Sequence, residues 1–113
     1  MKKWIALGLL ASAQFALAAP LAPAAEIRGT PSCGEWIVHR KDADTLALSN
    51  ASWLVGYLSG LAVGAVKDFL PGTDNSAIFA WMDGYCRANP LKDVGSGGAL
   101  LMTELMAKKS PRK

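Results

Sequence analysis

The chain has 113 residues, 12 basic and 9 acidic side chains, a formal net charge of +3 and an apolar fraction of 51%. A chain of this length is expected to form a single domain. The positive charge is concentrated at the two ends, because residues 26–107 carry six basic and nine acidic side chains. That body has no clustered Lys/Arg face, so the composition argues against nucleic acid as a partner.

The first 18 residues have the pattern of a cleaved signal peptide. Lys2 and Lys3 precede an apolar run at 4–17, and residues 16–18 (Ala-Leu-Ala) match the small-residue cleavage signal. Residues 19–30, rich in alanine and proline, are predicted to be a flexible leader. A helical domain is expected over 31–107, followed by a basic, solvated tail at 108–113. The protein is therefore expected to be periplasmic or secreted.

A short first helix is predicted from a capping box. Ser32 is a favourable N-cap, and Glu35 follows three residues later. The aspartates that come after this helix favour a turn. The second helix is then predicted over 46–66, with its start left open between residues 44 and 50.

The stretch 46–66 holds no charged residue, and it is predicted to be the central helix. Glycines recur in it every four residues and would form one stripe, which comprises Gly56, Gly60 and Gly64. Each glycine costs a helix roughly 0.8–1 kcal/mol relative to alanine, so the stripe predicts that another helix lies close against it. The favoured interpretation is a buried helix of a soluble domain. The alternative is a membrane span that dimerises through the glycines.

Two further helices are predicted after the break at Pro71. Apolar residues of the third helix recur at helical spacing, namely Ile78, Trp81, Met82, Tyr85 and Cys86. Asn89 ends this helix, and Pro90 is predicted to occupy the first position of the last one. Three glycines within 95–98 weaken the last helix, so we expect it to form only by packing. No strand is predicted, and the expected fold is all-α, a compact four-helix domain.

The two cysteines, Cys33 and Cys86, follow the export signal, so they are expected to form a disulfide. The bond would join the start of the first helix to the late part of the third, and closing a loop of that length is worth roughly 4 kcal/mol. It would also test the membrane alternative. A central helix that crossed the bilayer would place the two cysteines on opposite sides, where they could not pair.

The sequence contains no recognisable catalytic set, metal cluster or nucleotide-binding glycine pattern. We therefore predict a non-enzymatic protein without a cofactor or a metal. His39 is the only histidine, and we expect it to contact Glu35 on the protein surface.

The aromatic residues are predicted to build most of the core. Those assigned to helix packing are Trp36, Trp53, Tyr57, Trp81 and Tyr85. Tryptophan and tyrosine are also the residues that most often anchor protein partners. Three charged residues around the third helix and its exit are the candidate partner-binding residues, predicted to form a polar rim: Asp83, Arg87 and Lys92.

Four motifs follow one another along the chain: Cys33, then W-L-x-G-Y-L-S-G at 53–60, W-x-D-x-Y-C at 81–86 and N-P-L at 89–91. This layout resembles that of small secreted helical proteins of proteobacteria. It is similar to the periplasmic acid-stress chaperones of the HdeA/HdeB type and to the Rap/Tai-like immunity proteins of type VI secretion. The resemblance implies a compact helical domain, a disulfide between an early and a late helix, and protein binding without turnover.

The two families imply different mechanisms. The leading hypothesis is a periplasmic protein-binding module, an inhibitor or immunity-like protein that needs a stable, specific face for its protein partner. The alternative is an acid-activated chaperone, a homodimer at neutral pH that loosens when its carboxylates protonate and exposes apolar surface to clients. The third hypothesis, from a different class, is the single-span membrane protein.

Overall fold

The computed structural model describes residues 25–109, which form four helices. They are α1 (Cys33–Asp42), α2 (Thr45–Gly64), α3 (Asn75–Ala88) and α4 (Val94–Lys109). No strand lies within 25–109, so the predicted all-α fold is confirmed. The predicted signal peptide, most of the predicted leader and the end of the predicted tail lie outside the described residues.

Side-chain caps determine where the first three helices begin. Ser32 and Glu35 form the predicted capping box: the Ser32 hydroxyl accepts from Glu35 N at 3.0 Å, and the Glu35 carboxylate accepts from Ser32 N at 2.9 Å. Asp44 caps α2 by accepting a hydrogen bond from Ala47 N, and Asp74 caps α3 in the same way. The start of the central helix, left open by the sequence, is therefore fixed by the Asp44 carboxylate.

The central helix ends in a Schellman motif. Lys67 N donates to Ala62 O, and Val66 N donates to Val63 O, which are the two hydrogen bonds that define this helix end. Val66 has a φ of 52°, the left-handed conformation that glycine normally supplies at this position. A β-branched residue is strained there.

The last helix begins four residues later than its predicted first position, at Val94 instead of Pro90. Pro90 is exposed and lies in the connection between α3 and α4, so the prediction that it opens the last helix is wrong. The helix begins instead after Asp93, whose Oδ1 accepts a hydrogen bond from Ser96 N at 2.7 Å. This start is tied to the other end of the domain, because Val94 N donates to Pro31 O and Cys33 N donates to Lys92 O, both at 2.9 Å.

The four helices enclose one core. Helix α1 packs against α2 and α3, and α4 also packs against α2 and α3. The largest fully buried side chains are Trp36, Leu54, Leu58, Phe69, Met82 and Val94. The other aromatic residues predicted to pack are only partly buried and surround this core: Trp53, Tyr57, Trp81 and Tyr85.

The predicted disulfide is confirmed. Cys33 and Cys86 are bonded and fully buried, and they set the register of α1 against α3. Along the two helices, Cys33 pairs with Cys86, Trp36 with Asp83 and Arg40 with Phe79. In each pair the second residue number falls as the first rises, so α1 and α3 run antiparallel.

One helix within 25–109, α2, is long and apolar enough to cross a membrane by length and composition. The Cys33–Cys86 bond argues against a span, because it holds the two chain segments that flank α2 side by side.

Candidate functional site

The central helix is buried along one stripe only. Three of its twenty residues are buried, Ala51, Leu54 and Leu58, and the opposite side faces outward. We call that side the outward face of α2, which consists of Leu48, Ser52, Val55, Gly56, Ser59, Gly60 and Val63. Leu48 is 70% exposed and Val63 is 80% exposed. The prediction of a buried central helix therefore holds for one side of α2 and is wrong for the other.

The glycine stripe does not lie in the core: Gly56 and Gly60 belong to the outward face, and Gly64 is exposed at the end of the helix. Gly56, Gly60 and Gly64 are exposed, and a Cβ added to any of them would meet no atom of residues 25–109 within 4 Å. The prediction that another helix of the domain packs against them is therefore wrong. The close approach occurs on α4, where a Cβ at Gly97 would lie 2.6 Å from the Tyr85 ring and one at Gly98 would lie 2.9 Å from the Tyr57 ring.

Two open grooves flank the outward face at its middle. One, of about 510 Å³, is bounded by Ser52, Gly56 and the segment that precedes α1, and that segment is held by a hydrogen bond from Trp53 Nε1 to Arg28 O at 3.1 Å. The other, of about 500 Å³, is bounded by Leu48 of α2 and Phe79 of α3. We call the line of α2 residues between the grooves the crest. Its side chains at Ser52, Gly56 and Gly60 are small, so a second helix has room to approach the α2 backbone.

A third groove, of about 430 Å³, lies at the end of α2 beside Val63, Val66 and Leu70. Val66 is 92% exposed. Exposed apolar side chains therefore continue past the helix end, where Lys67 and Asp68 also line the groove, and exposed apolar patches mark interaction sites in soluble proteins.

A separate polar site joins α1 to α3 around the Asp83 carboxylate. Its Oδ1 accepts hydrogen bonds from Trp36 Nε1 at 2.8 Å and from Arg40 Nε at 2.9 Å, and its Oδ2 accepts one from Arg40 Nη2 at 2.8 Å. The Arg40 guanidinium also lies over the rings of Trp36 and Phe79, at 5.7 and 5.8 Å. Burial by itself would raise the pKa of Asp83, but the hydrogen bonds from Arg40 and Trp36 outweigh it and hold this pKa below its ordinary value.

The polar site opens into a cleft of about 340 Å³ between α1 and α3, lined by Ile37, Arg40, Lys41, Asp83 and Arg87. Of the three predicted partner-binding residues, Asp83 and Arg87 are brought together here, whereas Lys92 does not line the cleft. Sequence reasoning missed Arg40 and Lys41. Arg40 could have been found from the disulfide, because the Cys33–Cys86 bond fixes which residues of α1 lie opposite which residues of α3.

His39 pairs with Asp44, not with Glu35. Its Nδ1 lies 2.8 Å from Asp44 Oδ2, so the pair links the end of α1 to the cap of α2. The hydrogen bond to His39 lowers the pKa of Asp44. Within residues 25–109, no group of three or more His, Cys, Asp or Glu side chains could hold a metal ion.

Replacing Asp83 by asparagine is expected to lower the free energy of unfolding by about 1–2 kcal/mol at pH 7, because charge-assisted hydrogen bonds between α1 and α3 are lost. The folded-state pKa of Asp83 lies below its unfolded value. Its ionised form therefore stabilises the fold above the unfolded pKa, and this contribution disappears as the pH falls through the folded pKa. Urea unfolding of both proteins at pH 7, 4 and 2 should show the difference shrinking on acidification.

The matched control is Glu104→Gln, because Glu104 also accepts a hydrogen bond from a tryptophan, Trp81 Nε1, at 2.9 Å on the surface. We expect it to cost well under 1 kcal/mol. An Asp83→Asn penalty that stayed constant down to pH 2 would contradict the role given to the ionised carboxylate.

Comparison of the chain with protein-family models, with curated proteins and with solved structures finds no match. The resemblance to acid-stress chaperones and immunity proteins therefore stays a prediction.

Proposed function

We propose that this protein is a periplasmic or secreted, non-enzymatic protein-binding module of the inhibitor or immunity type, and that it binds its partner through the outward face of α2. The observation that carries the proposal is the placement of an uncharged, largely apolar helix side on the surface. Burying such a side is favourable, at roughly 25 cal/mol for each Å² of apolar surface removed from water.

The partner element that fits this face is an uncharged apolar helix. No charged residue occurs between positions 45 and 66, so a charged side chain placed on α2 itself would lose its hydration without gaining an ion pair from this helix. Charged residues border the face only in the flanking grooves, Glu26 and Arg28 in one and Lys67 and Asp68 in another. The small side chains of Ser52, Gly56 and Gly60 leave the crest low, and a helix could lie along it with its side chains in the flanking grooves. Leu48 and Val63, at the two ends of the crest, would supply apolar contacts.

The disulfide supports a binding role that requires a fixed surface. Cys33–Cys86 joins α1 to α3, and α1 in turn packs against α2. A surface held in one shape loses less conformational entropy on binding, which favours a specific and tight complex.

Photo-crosslinking at Val63 tests the proposal. With benzoylphenylalanine at this position in cells that produce the protein naturally, we expect one crosslinked adduct, whose partner peptide is an uncharged apolar helix of a different protein. In a second experiment benzoylphenylalanine is placed at position 60, so that Val63 can be replaced by aspartate. Val63→Asp should reduce the yield of the adduct at least tenfold, because binding would then bury an unpaired charge.

Leu91→Asp is the matched control, since Leu91 is also apolar and 98% exposed but lies outside the outward face. It should leave the adduct unchanged, and both variants should keep the wild-type unfolding midpoint. Adducts to a second copy of the chain, to lipid, or to many proteins at comparable yield would each count against an inhibitor-type module.

The acid-activated chaperone is a second candidate, favoured by one observation. The contact between α1 and α3 includes a carboxylate that accepts three hydrogen bonds, and its ionised form is lost in acid. If the candidate is correct, the protein should suppress aggregation of a client enzyme at pH 2–3 but not at pH 7. Asp83→Asn should move the onset of that activity to higher pH, and an inactive protein at pH 2–3 would eliminate this candidate.

A further inference from the structure

The cleft between α1 and α3 has the composition of a carboxylate-binding site. Three basic side chains line it, Arg40, Lys41 and Arg87, against one carboxylate, Asp83. Within residues 25–109, the ion pairs are Arg28–Glu26, His39–Asp44 and Arg40–Asp83. The Asp83 charge is thus matched by Arg40, and the charges of Lys41 and Arg87 have no carboxylate bonded to them in this part of the chain.

Arg40 serves as a fixed wall of the cleft. Two of its guanidinium nitrogens, Nε and Nη2, are bound to Asp83, and its plane is supported by the rings of Trp36 and Phe79. Because the guanidinium is held from two sides, its remaining N–H groups point in set directions. A ligand therefore meets donors that need little reordering, which is the condition for strong charge-assisted binding.

Arg87 and Lys41, in contrast to the fixed Arg40, are side chains that can adjust to a ligand in the cleft. Both are exposed, one from the last turn of α3 and one from the last turn of α1. Arg87 lies close enough to Asp83 to lower the pKa of that carboxyl, so its charge acts inside the cleft. Ile37 supplies an apolar wall, suited to the methylene groups of an acidic side chain.

The cleft adjoins the outward face of α2 through one aromatic ring. Phe79 contacts the Arg40 guanidinium and also lines the groove beside Leu48. A partner helix laid along α2, with side chains in that groove, would therefore come close to the Arg40 side of the cleft. A carboxylate at its end would find donors there, whereas a basic group would be repelled.

We infer that this cleft binds an acidic side chain of the protein partner, with Arg87 and Lys41 donating to its carboxylate beside the fixed Arg40. The inference rests on the proposed function, because it places the acidic residue next to the apolar helix that α2 would bind. It assigns the partner a specific pattern: an uncharged apolar helix followed by Asp or Glu.

An acidic peptide tests the site without the partner. Acetyl-tetraglutamate is titrated into the full, oxidised chain, and NMR follows the Nε–Hε signals of Arg40 and Arg87 together with the Trp36 indole signal. We expect saturable shifts at these three groups that weaken as NaCl is raised from 20 to 300 mM. Arg87→Glu should weaken binding at least tenfold, and Arg87→Gln should weaken it about threefold to tenfold.

Lys108→Glu makes the same charge change outside the cleft and should alter the affinity less than twofold. An unshifted Trp36 indole signal in the free variants verifies that the Arg40–Asp83 contact is intact. Absence of saturable shifts, equal losses in Arg87→Glu and Lys108→Glu, or tighter binding of inorganic phosphate than of the peptide would each overturn the inference. Val63→Asp should leave peptide binding unchanged, so a failure of the α2 face and a failure of this cleft give different results.

Discussion

Removal of the Cys33–Cys86 bond is expected to lower the free energy of unfolding by about 4 kcal/mol. The bond closes a loop between residues 53 positions apart, and without it the unfolded chain gains the entropy of that loop. A domain of this size has a total stability of only about 5–10 kcal/mol. The loss is therefore expected to leave a substantial unfolded population at 37 °C.

The double variant Cys33→Ala/Cys86→Ala is the protein to measure, because a single substitution would leave a buried free thiol. Urea unfolding followed by tryptophan fluorescence should give a midpoint far below that of the oxidised wild type. Reduced wild type should resemble the double variant, which separates the effect of the bond from that of the lost sulfur atoms. A difference below about 1 kcal/mol would show that packing alone holds α1 against α3.

Local chemistry explains why the helices could be located from the sequence. The capping box at Ser32 and Glu35 forms as predicted, because both partners lie within one turn and need no tertiary contact. The disulfide was predicted from the expected signal peptide and the count of two cysteines. The prediction that Pro90 opens the last helix was wrong, because proline only favours a first helical turn and does not require one. The helix begins instead after Asp93, whose side chain caps it.

Whether a given side of a helix faces the core or the solvent could not be predicted in the same way. A spacing of four places Gly56, Gly60 and Gly64 on one side of α2, but spacing alone does not say whether that side meets a helix or the solvent. The same limitation hid the role of Gly97, whose neighbour Tyr85 comes from a different helix. Tertiary packing decides at which helical positions only glycine fits.

The polar cleft was only partly predictable for a related reason. Asp83 and Arg87 share one helix and were recognised together, whereas Arg40 lies 43 positions before Asp83. The disulfide supplies the missing information, because an antiparallel pair in register at Cys33 and Cys86 places Trp36 opposite Asp83. Arg40 follows Trp36 by one helical turn, so the same pairing predicts that Arg40 also lies near Asp83.

Gly97→Ala and Gly60→Ala are expected to change stability in opposite directions, although both exchange a helical glycine for alanine. Alanine at Gly97 would place its Cβ 2.6 Å from the Tyr85 ring and 2.8 Å from Met82 Sδ. Met82 is fully buried and Tyr85 is stacked on Trp81, so neither can move freely. Overpacking of this kind lowers the free energy of unfolding by as much as about 3 kcal/mol. The Cβ of alanine at Gly60 would meet no atom of the described residues 25–109 within 4 Å, so this change should raise the free energy of unfolding by up to about 1 kcal/mol through helix propensity.

Urea unfolding of the two variants beside the wild type measures this difference, and Gly56→Ala provides a second exposed position that should behave as Gly60→Ala does. The sign at Gly60 separates two explanations for the glycine stripe. A gain in stability means that the isolated domain does not require glycine there, which is the result expected if the glycines serve an approach from outside to the outward face of α2. A loss of stability at Gly60, of the size expected at Gly97, would mean that the stripe is packed within the domain and would remove the main support for that face as a binding surface.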